Sequence, residues 1–104
     1  MAVKVMITDD HSLIREGLKQ LLELEGDFQV IAEACDGIDC MGKLKEQIPD
    51  VLLLDINMPR MDGFEVLRVM NERRWIEEIP VIVISAEYDA EYIQRAYDLG
   101  TTDY

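Results

Sequence analysis

Residues 50–67 read DVLLLDINMPRMDGFEVL, and the fold turns on how this stretch divides. Residues 51–54 are four consecutive apolar side chains. A strand covered on both faces reads this way, because neither side of its pleat meets water. Asp55 ends the run, and residues 55–62 read as a loop interrupted by Pro59, which has no backbone donor to give a ladder. From 63 to 74, Phe64, Leu67 and Met70 recur at helical spacing and predict a helix. The stretch is therefore strand, loop and helix, with an aspartate at the strand's carboxyl end.

The same alternation continues outward. Upstream, residues 2–8 (AVKVMIT) predict a strand and 9–12 a loop. Residues 13–25 predict an amphipathic helix carrying Leu13, Ile14, Leu18, Leu21 and Leu22, closed by Gly26-Asp27, because those apolar positions share one stripe. Residues 28–34 predict a second strand, and Asp36-Gly37 a turn. A short helix follows over 38–47, with Ile38, Met41, Leu44 and Ile48 on one side, and Pro49 stops it. Downstream, residues 80–85 (PVIVIS) predict a buried strand and 89–99 a helix. Gly100 suits that helix's end because it tolerates left-handed geometry, and 101–104 would begin a fifth strand. This order predicts an α/β fold, a doubly wound parallel sheet with helices on both faces and right-handed crossovers.

At 104 residues, with 49 % apolar and 31 % charged side chains, the chain reads as one folded domain. Its formal charge of −12 excludes nucleic-acid binding through a general basic field. It favours cations and basic partner surfaces instead. Cys35 and Cys40 match no zinc or redox spacing and read as reduced thiols. No apolar run approaches the roughly 20 residues of a membrane span. The amino terminus lacks the basic region, apolar run and cleavage site of a signal peptide, so the expected location is the cytoplasm.

In a sheet of this kind, ligands bind beyond the carboxyl ends of the strands. Asp9 and Asp10 follow the first strand, Asp55 the third, and Ser85 the fourth. Three carboxylates brought together repel one another unless a cation joins them. A hard divalent ion such as Mg2+ suits oxygen ligands and bridges to phosphate, and a carboxylate beside it can act as a phosphoryl acceptor. Taken singly, Asp9-Asp10 also reads as a helix cap, Asp55 as a turn former, and Ser85 as a strand end. Three strand ends with suitable groups favour the joint reading.

Four blocks carry a further resemblance: VMITDDHSLIREGLKQLL at 5–22, DVLLLDINMPRMDGFEVL at 50–67, IPVIVISAEYD at 79–89 and AYDLGTTDY at 96–104. In order and spacing they resemble the receiver domain of two-component response regulators, of the CheY-like superfamily, over nearly the whole chain. The resemblance implies a flavodoxin-like sheet of strand order 2-1-3-4-5. It implies that Asp55 accepts phosphate from a sensor histidine kinase or a small phosphodonor. It implies that Asp9, Asp10, Asp55 and the Asn57 carbonyl hold Mg2+, with Asp9 acting through water. Ser85 would contact the phosphoryl group, and Tyr104 would be the switch aromatic. Pro59 and Gly63 would shape the loop, and Asn57 and Glu87 would tune the phosphoryl lifetime.

The family's lysine, three residues past the switch aromatic, would fall after Tyr104, as would most of the fifth strand and its helix. The expectation is an incomplete receiver domain over 1–104 that dimerises, swaps segments or is marginally stable. An output domain or downstream effector is the implied partner. The 5–22 block resembles regulators with helix-turn-helix DNA-binding outputs, and the 96–104 block equally resembles those with enzymatic outputs. The expected function is phosphorylation-dependent signalling without turnover of an independent substrate. The alternatives are an aspartate-nucleophile phosphohydrolase and a pseudo-receiver that only binds. The phosphohydrolase would want an acid where Asn57 stands. His11 reads as a loop or helix-start residue rather than a second phosphate carrier. The six methionines read as core and loop filler. Trp75 is expected to pack at the third helix's end, and Tyr88, Tyr92 and Tyr97 to serve as either surface packing or partner contacts.

Overall fold

The computed structural model describes residues 2–84 and 90–103. Strands β1 (Val3–Thr8), β2 (Phe28–Ala34), β3 (Val51–Leu54) and β4 (Val81–Val83) alternate with helices α1 (Ser12–Leu24), α2 (Gly37–Glu46), α3 (Gly63–Glu72) and α4 (Ala90–Asp98). The strands form one parallel sheet of order β2-β1-β3-β4. This is the flavodoxin-like α/β fold expected from the sequence. Asp103 makes a parallel bridge to Ile82, and its carbonyl accepts from Val83 N–H at 2.9 Å. The chain therefore reaches the far side of β4, in the place of a fifth strand.

Side chains alternate across each strand, and the two faces of the sheet are covered differently. Met6, Leu52, Leu54, Val81 and Val83 point into one cluster with Cys40, Leu44, Phe64, Val66, Leu67 and Met70. The burial of that cluster's apolar area is the main source of stability. Val5 and Ile7 are buried outside it, on the opposite face. There, Leu53 and Ile82 are only half-buried.

Three helices depart from the sequence reading. Helix α1 forms, but Leu13, Ile14 and Leu21 of its expected inner stripe are exposed, and Leu18 and Leu22 are half-buried. It packs against β2 and β1 at one side of the sheet, which leaves its remaining apolar surface uncovered among the described residues. In α2 the inward residues are Gly37, Cys40 and Leu44, while Ile38 and Ile48 are exposed. A close approach sets this register: Gly37 N–H donates to Met61 O at 2.9 Å, and a Cβ on Gly37 would lie 2.4 Å from that oxygen. Helix α3 stops at Glu72 rather than 74, because Arg74 takes a left-handed conformation at φ 62°. A short 3-10 turn, Trp75–Glu77, then packs Trp75 and Ile76 against the core. Gly100 ends α4 at φ 102°, as anticipated.

Candidate functional site

The ladder places the acidic residues. Asp9 N–H donates to Ala34 O at 3.0 Å, and Asp55 N–H donates to Thr8 O at 2.9 Å. Thr8 and Leu54 are register partners, so Asp9 and Asp55 leave adjacent strands side by side. Both are buried, at 3 % and 6 % exposure. Gly63 fixes the loop that follows Asp55. Its N–H donates to Ile56 O at 2.9 Å, and a Cβ there would lie 2.6 Å from Asp55 O. Only glycine lets the start of α3 press so closely on the backbone that carries Asp55.

Asp9, Asp10, His11 and Asp55 each offer an oxygen or nitrogen ligand atom, and all four atoms lie within 4.8 Å of one another. Asp9 Oδ1 accepts the His11 backbone N–H at 2.8 Å and lies 2.8 Å from His11 Nδ1. The same ring nitrogen lies 3.1 Å from Asp10 Oδ1 and 4.0 Å from Asp55 Oδ2. Arg15 Nη1 donates to the Asp9 carbonyl at 2.6 Å and steadies the turn. Asp55 Oδ1 accepts the Asn57 N–H at 3.2 Å. A cleft of about 310 Å³ opens beside this cluster, walled by Ile14, Leu18 and Ile84.

The electrostatics follow from this crowding. Burial, then the charge of Asp9, pushes the Asp55 carboxyl up to about 6; Asp10 adds to the rise, while the Asn57 N–H and His11 oppose it. His11 is raised from its ordinary value, first by its hydrogen bond to Asp9 and then by the charges of Asp10 and Asp9. A site that resists the charge of its own carboxylate suits a cation. Three carboxylate ligands fit a hard divalent ion such as Mg2+.

Of the expected site residues, Asp9, Asp10 and Asp55 come together, and Asn57 follows with its side chain exposed. Ser85, Glu87, Tyr88 and Tyr104 lie outside the described residues. The pair Asp9-Asp10 does not occupy the cap position of α1: that position is His11, whose own side chain makes no capping hydrogen bond. Tyr92 packs its ring on Phe64 at 5.6 Å, and Tyr97 donates to Asp103 at 3.0 Å.

Two features were not anticipated. The His11 ring enters the acidic cluster rather than merely opening the helix. An ion pair between exposed Arg60 and buried Asp36 also ties the loop after Asp55 to the second β–α connection. Arg60 Nε lies 2.7 Å and Nη2 2.5 Å from Asp36 Oδ2. Asp36 Oδ1 meanwhile caps α2 through the Asp39 N–H at 2.9 Å. That backbone bond, together with Arg60, holds the Asp36 carboxyl below its ordinary value against the opposing effect of burial. Arg60 sits at φ 63°, a strained conformation that turns its side chain back towards Asp36.

A parallel sheet of this order, with an acidic cluster at its carboxyl edge, belongs to the doubly wound α/β class, whose ligands bind beyond the carboxyl ends of the strands. Residues 5–104 match the response regulator receiver domain, and the chain belongs to that family. It is 35 % identical to the transcriptional regulatory protein DegU of Brevibacillus brevis over 102 residues, which is 98 % of this chain and 42 % of that protein. It is 38 % identical to a protein-glutamate methylesterase/protein-glutamine glutaminase of Hydrogenovibrio crunogenus, over 98 % of this chain and 27 % of the relative. Its backbone superposes on a DNA-binding response regulator of the LuxR family from Staphylococcus aureus with a TM-score of 0.91. Those two chains are 31 % identical, and the match covers 98 % of this chain and 83 % of the other. The chain thus spans less than half the length of these two curated relatives. No helix among the described residues is long and apolar enough to cross a membrane.

Proposed function

We propose that Asp55 accepts a phosphoryl group from a phosphohistidine of a sensor kinase or from a small acyl phosphate. The observation that carries this reading is the pairing of two buried carboxylates, Asp9 and Asp55, at adjacent strand ends of a receiver-family sheet. A carboxylate oxygen of Asp55 attacks phosphorus, a P–O bond forms, and the donor's P–N or P–O bond breaks. The bond's electron pair leaves with the donor, which takes a proton from water when it departs as imidazole. A divalent ion held by Asp9, Asp10, Asp55 and the Asn57 carbonyl would neutralise charge on the transferring oxygens. The Asn57 N–H orients the Asp55 carboxylate by its bond to Oδ1. Gly63 and the Arg60–Asp36 pair hold the loop that carries both residues.

Ser85 and Tyr104 are proposed as the phosphoryl contact and the switch aromatic. The domain would act in the cytoplasm as a signalling module, with no independent substrate. It would relay its state to an output domain or effector, and the resemblance of residues 5–22 together with the DegU similarity favours transcriptional control.

The test is incubation with Mg2+ and acetyl phosphate, read by intact mass, with beryllofluoride binding as a second readout. The expected result is one phosphoryl adduct, absent in Asp55→Asn. An adduct that persists in Asp55→Asn, or none from the wild-type chain, would overturn the assignment.

A further inference from the structure

The His11 ring reaches into the acidic cluster, where its Nδ1 both bonds Asp9 and stands among the four atoms that could hold one ion. Ion-to-ligand bonds of about 2.1 Å place adjacent octahedral ligands about 3.0 Å apart and opposite ones about 4.2 Å apart. His11 Nδ1 lies 2.8 Å from Asp9 Oδ1 and 3.1 Å from Asp10 Oδ1, both close to the adjacent spacing. It lies 4.0 Å from Asp55 Oδ2, close to the opposite spacing. The widest separation among the four ligand atoms is within 4.8 Å, so small rotations of the exposed Asp10 and His11 side chains close the set.

The ring is held there by its own backbone. The His11 N–H donates to Asp9 Oδ1, and the His11 carbonyl accepts the Arg15 N–H at 3.0 Å as α1 begins. Both anchors survive if the ring exchanges a proton for an ion.

We propose that His11 Nδ1 is a fifth protein ligand of the divalent site, beside the carboxylates of Asp9, Asp10 and Asp55 and the Asn57 carbonyl, giving four oxygens and one nitrogen. The site then selects imidazole-accepting first-row ions such as Co2+, Ni2+ and Zn2+ over Mg2+. Carboxylates suit Mg2+, whereas an imidazole adds affinity for the later ions and little for Mg2+. The inference rests on the divalent site of the proposed function, and it makes His11 the residue that sets which ion occupies that site.

The chain has a single histidine, so an untagged sample gives an unambiguous ring signal. Zn2+ titration, followed through the 15N shifts of that imidazole at about pH 8, should move Nδ1 to the position of a metal-bound nitrogen and leave Nε2 protonated. Calorimetry should show Co2+ and Ni2+ binding weakened about tenfold or more in His11→Asn, with Mg2+ binding changed less than about threefold. The visible bands of bound Co2+ should shift in that variant. Asp10→Asn should weaken all of these ions.

If ions bind and Asp10→Asn weakens them, but Nδ1 does not shift and His11→Asn is indistinguishable from wild type, the ligand role of His11 is overturned while the acidic site stands. If no divalent ion binds the wild-type chain, both readings fall. A Zn2+ shift on Nε2 alone would also overturn the proposal, since the geometry specifies Nδ1.

Discussion

On one face of the sheet, α3 buries Gly63, Phe64, Val66, Leu67 and Met70. On the other, α1 is longer and just as amphipathic in sequence, yet buries no residue fully. The two helices differ in what lies beside them. Helix α3 has α2 and α4 as neighbours and a strand face of Leu52, Leu54, Val81 and Val83 beneath it. Helix α1 lies over β1 and β2 at one side, and Leu53 and Ile82 beyond it stay half-exposed. An apolar stripe predicts that a helix has an inner side; it does not predict how much of that side is covered. The acidic cluster sits at the edge where the two faces meet, with Asp9, Asp55 and the α1 residues Ile14 and Leu18 lining one cleft.

The largest expected effect separates the faces directly. Leu67 has no exposed surface, so Leu67→Ala should destabilise by about 2–5 kcal/mol. Urea unfolding at constant m-value reads this as a lower midpoint. A loss below 1 kcal/mol, on the order of a surface substitution, would break the contrast by showing that the α3 face is loosely packed.

Next comes the edge between the faces. The Asp55 carboxyl is held at about 6 instead of its ordinary 3.8. A raised carboxyl binds its proton more tightly in the folded state, so its stabilising contribution is complete below about pH 4. It is lost as pH rises through 6. Without metal, Asp55→Asn should therefore be more stable than wild type at neutral pH, by up to about 3 kcal/mol. The advantage should vanish at about pH 4 and shrink when Mg2+ binds the wild type. Thermal unfolding across pH, with and without the ion, checks it; an Asn variant less stable at neutral pH would contradict the electrostatic reading.

How much of this was legible in the sequence depends on the kind of constraint. The run 51–54 and the strand 28–34 were readable to the residue, because strand-favouring runs bounded by Asp and Gly leave a local mark, although Val51 and Leu53 are only half-buried. Asp9, Asp10 and Asp55 were readable because strand order converts three sequence positions into one edge. The end of α3 was not, since Arg74 adopts a left-handed conformation that nothing in arginine's chemistry announces. The register of α2 was not, because Gly37 answers to a backbone oxygen of Met61, distant in sequence. His11 escaped for a related reason. Whether a ring beside two aspartates faces solvent or Asp55 is decided by the turn geometry, not by residue type.

A smaller effect tests the strap on the site loop. Arg60→Ala removes the cation that faces the buried Asp36. The expected cost is about 1.5 kcal/mol, the low end for a charged hydrogen bond, because the Arg60 side chain is largely exposed. The Asp36 carboxyl is held below its ordinary value, so its contribution is present above the unfolded-state pKa and lost as pH falls through the folded one. The gap between Arg60→Ala and wild type should therefore close in acid. A gap that persists at low pH would assign the effect to Arg60's strained backbone instead.

The smallest effect returns to α1 and is the most discriminating about what that face does. Leu13 is 87 % exposed and Leu24 84 %. In an isolated domain, Leu13→Ala and Leu24→Ala should each change stability by less than about 0.5 kcal/mol, because neither leaves a cavity. Exposed leucines on one helix nonetheless favour association, and the two situations separate by concentration. If the face is free, unfolding midpoints of wild type and variants stay equal at every protein concentration. If the face is covered by a second copy, wild-type stability rises with concentration and Leu13→Ala removes that dependence. Light scattering would then show the wild type alone shifting to a larger species. Either outcome is informative about α1, but a loss of several kcal/mol in a dilute monomer is compatible with neither. It would mean that α1 is seated on the sheet as tightly as α3.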